Sequence, residues 1–381
     1  MNADSMPGAV ARPRRRDPRR SPGLFFLHVL LIVLLLAVGC ATVAVRSLGE
    51  NRGGSRRPGS LVLPERISEA SAPEGPGRLG PLAGPPSRPV SLDAALKLNG
   101  YDVPENANLY AVRVVEGPEL GRIYEQYEAG GGALAVDFWP ASSIKVLAAL
   151  GALDFVRSLG FTGAATVTFD GDDEEPSRTL RSIYEPAIRD SSNYDYDLLV
   201  RIAGLDRLNG EFLTAHNGFA VTSITQSYSG LELDESPGMI LEERGRRTYV
   251  PARKAGRAPE CEPGNCSNLF EMTESVRRIV LSDLLPPEQR FDLDPADLED
   301  LAGALLAAEG FFGDAVTAAL GKGARIYSKP GDAAGLDCLD VTLVESKRGK
   351  RFLLAATVPH SSGGCDALGR LAEGVLRLLS A

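Results

Sequence analysis

The fold is decided by the stretch WPASSIKVLAALGALDFVRSL, residues 139–159. Apolar residues recur through it at helical spacing and a proline precedes them, so a helix is predicted over 141–159. Ser142 then lies at the N-terminal end of this helix, where free backbone N–H groups can stabilise a developing negative charge. Lys145 follows one turn later on the same face. A hydroxyl beside an amine suits a nucleophile and its general base, provided that burial lowers the pKa of the lysine.

Two more short motifs follow along the chain. Ser191-Ser192-Asn193 precede a second apolar helical pattern, which places them on a loop that leads into a helix. Lys329-Pro330-Gly331 end a β-like segment. Taken singly, a serine at a helix cap, turn-forming Ser and Asn residues and a solvated lysine are the more ordinary interpretations. Those interpretations leave the ordered set of three motifs, each in its local context, unexplained.

In this order the motifs resemble the Ser-x-x-Lys, Ser-Asp-Asn and Lys-Thr-Gly signature of class A β-lactamases and penicillin-binding proteins, which are penicillin-recognising serine hydrolases. The resemblance covers residues 92–381. It implies an α+β fold in which an antiparallel sheet flanked by helices joins an all-α subdomain, with the active site between them. The order of predicted elements agrees: a β-hairpin at 108–129, helices at 270–285, 297–308 and 312–320, strands at 324–329, 339–345 and 352–358, and a helix at 367–379.

The resemblance assigns roles to the first two motifs. Ser142 would attack the substrate carbonyl after Lys145 takes its proton, and Ser191 would relay a proton to the departing nitrogen. Asn193 would hold the side-chain amide of the substrate. Ser192 stands where the family has Asp, a change of small consequence because that side chain mostly supports the loop.

The third motif would bind the substrate. Lys329 would attract the substrate carboxylate, and Gly331 would let the substrate lie against the strand without a Cβ in the way. The backbone N–H groups of Ser142 and Asp332 would form the oxyanion hole. Pro330 replaces a hydroxyl residue that helps to bind the carboxylate, so ordinary penicillins should be recognised less well. Asp332 would repel anionic substrates unless its side chain points away.

Class A β-lactamases also carry a Glu on an Ω-shaped loop, which activates the water that frees the acylated serine. The region 222–257, where the resemblance places this residue, holds no Glu in a convincing Glu-x-x-x-Asn setting. The best candidate for the deacylation base is Glu262, in Cys261-Glu262-Pro263-Gly264-Asn265-Cys266, although its spacing to Asn265 is one residue short. The alternative is that residues 261–266 form a solvent-exposed loop closed by a disulfide, with no catalytic role for Glu262.

The first 89 residues do not resemble a folded domain. Six arginines lie between residues 12 and 20, and residues 24–45 form an apolar stretch long enough to cross a bilayer as a helix. The positive-inside rule predicts a basic cytoplasmic tail over 1–23 and a transmembrane signal anchor over 24–45, with the remainder in the periplasm or outside the cell. A cleaved signal peptide and a lipoprotein attached through Cys40 are the alternatives. Residues 46–89, rich in Pro, Gly, Ser and Arg, would be a flexible linker to a domain over 90–381.

The composition excludes several kinds of partner. The chain has 41 basic and 50 acidic residues and a net charge of −9, and beyond the arginine run at 12–20 no basic patch occurs, so no nucleic-acid partner is predicted. Its three histidines and widely spaced cysteines argue against a metal site, and no cofactor is expected. In an oxidising compartment the four cysteines after residue 45 should form disulfides, in one of three pairings. They are Cys261, Cys266, Cys338 and Cys365.

The sequence therefore predicts a membrane-anchored, exported serine hydrolase of the β-lactamase type. It would form an acyl-serine at Ser142 with a β-lactam or a related amide and hydrolyse it. One alternative is a D-alanyl-D-alanine peptidase, which acts on peptidoglycan peptides and needs no Glu on an Ω loop. The other is a catalytically impaired protein that binds cell-wall fragments, if Pro330 and Asp332 have abolished turnover. The predicted partners are a β-lactam or peptidoglycan-peptide substrate, and the membrane through residues 24–45.

Overall fold

The computed structural model describes residues 89–117, 121–135, 139–171, 175–256, 261, 264–333 and 335–381. The predicted cytoplasmic tail, the membrane segment, the linker before residue 89 and Cys40 lie outside the described residues, as does Glu262. Within the described ranges, no helix is both long and apolar enough to cross a membrane.

Runs of strands and runs of helices follow one another along the described chain, and the expected α+β class is confirmed. A 3₁₀ turn at Ala141–Ile144 leads into α2. The elements are β1 (Val90–Ser91), α1 (Asp93–Leu98), β2 (Asn108–Gly117), β3 (Gly121–Ala129), α2 (Lys145–Ser158), β4 (Thr166–Phe169), β5 (Arg178–Thr179), α3 (Leu180–Arg189), α4 (Asn193–Ala203), α5 (Leu205–Arg207), β6 (Glu235–Ser236), β7 (Met239–Glu243), β8 (Arg246–Val250), β9 (Arg253–Lys254), α6 (Leu269–Val280), α7 (Pro295–Ala307), α8 (Gly313–Leu320), β10 (Arg325–Ala333), β11 (Asp337–Glu345), β12 (Arg351–Pro359) and α9 (Gly364–Ser380).

The main sheet has six strands in the order β1-β3-β2-β12-β11-β10. β1 pairs with β3 in parallel, and the other neighbouring strands are antiparallel. The predicted hairpin is present as β2 and β3, and the last three predicted strands as β10, β11 and β12. The predicted strand ended at Lys329, whereas β10 continues to Ala333. Pro330 is tolerated because β10 is an edge strand, where a missing N–H need not break a ladder of hydrogen bonds.

The two faces of this sheet belong to different cores. Leu343 in β11 packs into a core shared with α2, α4 and α6, whereas its neighbour Val344 packs into a core shared with α1, α8 and α9. This alternation follows from the two-residue period of a strand. Lys329 and Gly331 pair with Val341 and Leu339, which belong to the first core. Lys329 and Gly331 therefore face the side of the sheet on which α2 and α4 lie.

The predicted helices are present with small shifts at their ends. α2 is buried on nearly every side and packs against α4, which makes it the centre of the first core. α6 ends at Val280 and not at residue 285 as predicted. A 3₁₀ turn follows at Ser282–Leu284, and Leu285, which precedes Pro286, adopts an extended conformation, as residues before proline usually do.

The sequence predicted an all-α subdomain, but this part of the molecule also contains strands. β5, β4, β7 and β8 form a four-stranded sheet, and β6 pairs with β9. β7 and β8 are joined by Arg244 and Gly245, whose φ values of 51° and 79° suit a two-residue hairpin turn. Asn or Asp is usual where Arg244 stands, so the sequence carries only a weak signal for this hairpin.

The four described cysteines form two disulfides. Cys261 is bonded to Cys266, and Cys338 is bonded to Cys365. The structure thus selects one of the three pairings that the sequence left open. The second bond ties β11 to α9, so it joins the sheet to the C-terminal helix on the side away from α2.

Candidate active site

Ser142 lies in the 3₁₀ turn that precedes α2, and its side chain is half-buried. Ala141, directly before it, has a φ of 43°, in the left-handed region that non-glycine residues rarely occupy. Within the described part of the chain, the Ser142 hydroxyl forms no hydrogen bond, so a bond to the amine of Lys145 is not formed here. Catalytic hydrogen bonds are often long in the absence of substrate and tighten in the complex.

Lys145 joins the first motif to the second. Its side chain is fully buried, and its Nζ donates to the Ser191 carbonyl oxygen, to Asn193 Oδ1 at 2.6 Å and to Ser191 Oγ at 3.3 Å. Burial and then the positive charge of Lys329 lower the pKa of Lys145 to about 7, although Asp197 and Asp195 act to raise it. Such an amine can take a proton from a hydroxyl near neutral pH.

The backbone of the second motif turns its polar groups toward Lys145. Ser191 has a φ of 58°, a left-handed conformation, and presents both its carbonyl and its hydroxyl oxygen to the amine. Ser192 is the N-cap of α4 and accepts a hydrogen bond from Asp195 N at 3.2 Å. Ser and Asp are comparable caps, so the departure at Ser192 keeps the start of the helix in place.

Lys329 lies on β10, opposite the first motif. Its backbone oxygen accepts a hydrogen bond from Ser143 Oγ at 2.8 Å, which fastens the Ser142 turn to the strand. Its side chain is fully buried, and its ammonium has no hydrogen-bond partner among the described residues. Burial lowers the pKa of Lys329 to about 8, while Asp340 and Asp190 act to raise it. An unpaired buried cation favours an anionic ligand.

Gly331 brings β10 against the nucleophile turn. A Cβ at this position would lie 3.0 Å from Ala141 Cβ and 3.1 Å from both Pro140 O and Ser142 N. These distances are shorter than ordinary van der Waals contacts, so only glycine lets the strand approach so closely. The Ser142 backbone nitrogen therefore lies close to Gly331 on β10, and its role in an oxyanion hole stays a prediction.

Asp332 points away from that contact. It pairs in register with Cys338, which is buried in the core on the α9 side of the sheet, opposite to Gly331. Its Oδ1 lies 2.9 Å from His360 Nε2. The repulsion of anionic substrates that the sequence allowed at Asp332 is thus reduced, because its carboxylate is turned toward His360.

Three residues near Lys145 were not found from the sequence. Asp195 forms an ion pair with Arg178 at 2.6 Å. Asp197 is fully buried and accepts hydrogen bonds from Ser227 Oγ and from the backbone N–H and side chain of Ser229. It also accepts one from the backbone N–H of the third missed residue, Tyr228, at 2.9 Å. In the sequence, the alternating Asp and Tyr residues at 194–197 resemble a solvated helix face, so nothing local marks them as buried.

The role of Glu262 stays a prediction, because that residue is outside the described ranges. Its described neighbour Asn265 is fully buried and accepts hydrogen bonds from Thr225 N and Gln226 N at 2.8 and 2.9 Å. Asn265 also donates to the Tyr196 hydroxyl at 3.1 Å. The C-terminal end of the disulfide loop is therefore held against α4, the helix that begins with Asn193.

No protein-family model matches the chain, and no curated protein does. Solved structures that it resembles are class A β-lactamases and a protein named PBP-A. The class A β-lactamase of the last common ancestor of Gram-negative bacteria is 19% identical, with a TM-score of 0.48 over 75% of this chain and 95% of that one. PBP-A is 18% identical, with a TM-score of 0.49 over 78% of this chain and 97% of that one. A β-lactamase of Sphaerobacter thermophilus is 15% identical, with a TM-score of 0.46 over 75% of this chain and 95% of that one.

Proposed function

We propose that this chain is a serine hydrolase of the β-lactamase and penicillin-binding type, which forms an acyl-serine at Ser142. The observation that supports it is the convergence of three distant motifs. Lys145 is bonded to Ser191 and Asn193, and the Ser142 turn is fastened to β10 beside Lys329. Motif residues with only capping or turn-forming roles would have no reason to meet around one buried amine.

The arrangement supports a complete acylation step. Neutral Lys145 takes the proton of Ser142 Oγ, which attacks the carbonyl carbon of a strained lactam or a peptide. The oxyanion that forms is stabilised by the N–H groups of Ser142 and Asp332. Ser191 passes a proton to the leaving nitrogen as the C–N bond breaks, and Lys329 binds an anionic group of the substrate. Water then attacks the ester, which frees the acid and restores the Ser142 hydroxyl.

A D-alanyl-D-alanine peptidase is the second candidate, and one observation favours it. The two described carboxylates near Lys145 are already engaged, Asp195 with Arg178 and Asp197 with the turn at 227–229. Neither is available to activate water, so hydrolysis of a drug-derived ester would depend on Glu262 or be slow. The membrane anchor over residues 24–45, with the catalytic domain outside the cytoplasm, is part of the same proposal and rests on the sequence alone.

Intact-mass spectrometry tests the proposed function. The full chain, purified in detergent, is mixed with benzylpenicillin and its mass is followed over time. An adduct with the mass of one penicillin that appears and then disappears supports the hydrolase, and an adduct that persists supports the peptidase. A mass that never changes, with penicillin still intact in solution, would contradict acyl transfer and favour a protein that only binds wall fragments.

The rate of acylation by benzylpenicillin should depend on pH in a bell shape. Lys145 must be neutral to act as a base, and its pKa is about 7, so the rate rises by about tenfold per pH unit below that value and then levels. Lys329 must be charged to attract the substrate carboxylate, and its pKa is about 8, so the rate falls at higher pH. The measurement is the acylation rate constant between about pH 5.5 and 9.5. With the uncharged methyl ester of the drug, the high-pH fall should disappear, and a fall of equal size for both would contradict the role of Lys329.

A further inference from the structure

The backbone of Ala141 is held in a strained conformation directly before the nucleophile. Its φ of 43° is left-handed, which an alanine adopts only when its surroundings impose it. The peptide bond that follows Ala141 carries the Ser142 N–H, so the conformation of Ala141 sets the direction of that donor. Gly331 leaves the donor uncovered, since a Cβ there would lie 3.1 Å from Ser142 N.

One side chain contacts the carbonyl end of the same peptide bond. The Tyr228 hydroxyl donates a hydrogen bond to the Ala141 oxygen at 2.8 Å. Burial raises the pKa of Tyr228 to about 12, so the hydroxyl keeps its proton and remains a donor at any working pH. Because the carbonyl and the N–H of one peptide bond point in opposite directions, fixing the oxygen also fixes the Ser142 N–H.

Tyr228 is itself fixed from two sides. Its ring stacks on the Tyr196 ring with centroids 4.7 Å apart. Its backbone N–H donates to the fully buried Asp197. Tyr196 in turn donates from its hydroxyl to Gln226 O at 3.0 Å, so the support extends into α4 and the loop before Tyr228. A hydroxyl held so firmly can impose a conformation on Ala141 and does not simply follow it.

We propose that Tyr228 is a positioning residue, which holds Ala141 in its left-handed conformation and so points the Ser142 N–H at the substrate oxyanion. It acts through Ala141 and touches no reacting atom. The effect of Tyr228 on the acylation rate rests on the proposed function, because it requires that Ser142 be acylated. The hydrogen bond should matter most when negative charge develops on the carbonyl oxygen, because a preorganised donor stabilises the transition state more than the bound substrate.

The ring of Tyr228 also lies near Lys145, so the test must distinguish an effect on Ala141 from an effect on the pKa of Lys145. Lys145 Nζ lies 5.5 Å from the ring centroid, and Lys329, Asp195 and Asp197 are the other charged groups that affect this amine. Tyr228→Phe removes only the hydroxyl and keeps the ring. The pH at which acylation is half-maximal should therefore not move in this variant, whereas the acylation rate should fall.

The first experiment compares Tyr228→Phe with Tyr110→Phe in the full chain. Tyr110 is a matched control, because its hydroxyl also donates a bond of 2.8 Å, to Gln126, but in the core beneath β2 and β3. Tyr228→Phe should lower the limiting rate of acylation by benzylpenicillin by about 10- to 100-fold. The substrate concentration at half-maximal rate and the pH midpoint should stay unchanged. Tyr110→Phe should leave the limiting rate and the substrate concentration at half-maximal rate within about twofold of the parent values, with the same pH midpoint. Equal rates for the two variants would overturn the proposal.

The second experiment adds Ala141→Gly. Glycine adopts positive φ without strain, so Tyr228→Phe should lower the acylation rate at least about threefold less in a chain that also carries Ala141→Gly than in one that keeps Ala141. The same four proteins should show coupling in thermal unfolding. Tyr228→Phe should lower the Tm by about 2 °C less beside Ala141 than beside glycine, because the alanine can relax and release its strain once the hydroxyl is gone. Additive Tm values would overturn the proposal. If the parent is never acylated, the proposed function fails, while the unfolding cycle still decides whether Tyr228 holds Ala141.

Discussion

Ser142→Ala should abolish every covalent adduct with benzylpenicillin. The Ser142 hydroxyl is the only group that the proposed step converts to an ester, and the hydroxyl next to it in the turn, that of Ser143, is fully buried and donates to the Lys329 carbonyl oxygen. The loss should exceed about 10⁴-fold in acylation rate, the size seen when a catalytic nucleophile is removed. Intact mass after prolonged incubation checks it, and peptide mapping of the parent adduct should locate the modification at Ser142.

A matched variant at the C-terminal end of α2, the helix that follows Ser142, controls for folding. Ser158→Ala removes one hydroxyl from α2, where Ser158 Oγ donates a hydrogen bond to the Phe155 carbonyl oxygen. It should be acylated at the parent rate. Ser142→Ala should still bind benzylpenicillin reversibly, since Lys329 is unchanged. An adduct that forms on Ser142→Ala at the parent rate would place the nucleophile elsewhere.

Gly331→Ala should slow acylation by about 100-fold without unfolding the protein. The new methyl group would lie 3.0 Å from Ala141 Cβ and 3.1 Å from Ser142 N. It must push β10 from the nucleophile turn by a few tenths of an ångström, and it also covers the Ser142 N–H. Removal of one oxyanion donor has an effect of about this size in serine hydrolases. The acylation rate constant at saturating substrate is the quantity to measure.

Gly303→Ala is the control for this prediction. Gly303 lies inside α7, and a Cβ there would meet nothing within 4 Å. The same methyl group in a helix should leave acylation unchanged and stabilise the fold by up to about 1 kcal/mol. If Gly331→Ala is acylated as fast as Gly303→Ala, then β10 does not form one wall of the oxyanion site.

Periodic segments of the sequence predicted most of the fold. The pattern over 141–159 gave α2, and the alternation before Lys329 gave β10 up to the proline. The sequence did not predict the continuation of β10 past Pro330, because it depends on the strand being at the sheet edge. It also missed the β7 and β8 hairpin, whose Arg244-Gly245 turn lacks the usual Asn or Asp.

The site was predictable where short sequence motifs carry it. Lys145 is hydrogen-bonded to Ser191 and Asn193, in agreement with the motifs. Gly331 was expected to make room for the substrate, which stays a prediction, and its close approach to the Ser142 turn was not predicted. Tyr228 could not be found in this way. Its importance comes from a bond to Ala141, 87 residues away in the chain, and no periodicity or motif marks such a contact. The catalytic roles themselves stay predictions until the variants above are measured.

The unpaired ammonium of Lys329 also bears on the stability of the protein. Its burial opposes folding, and within the described residues no hydrogen bond offsets it. An anion that binds there supplies the missing interaction and stabilises the folded state in proportion to the logarithm of its concentration over its Kd. Ligands of this site should therefore reveal themselves by raising the melting temperature, even when they lack a bond that Ser142 could open. The protein can thus be searched for its natural substrate by calorimetry before any reaction is known.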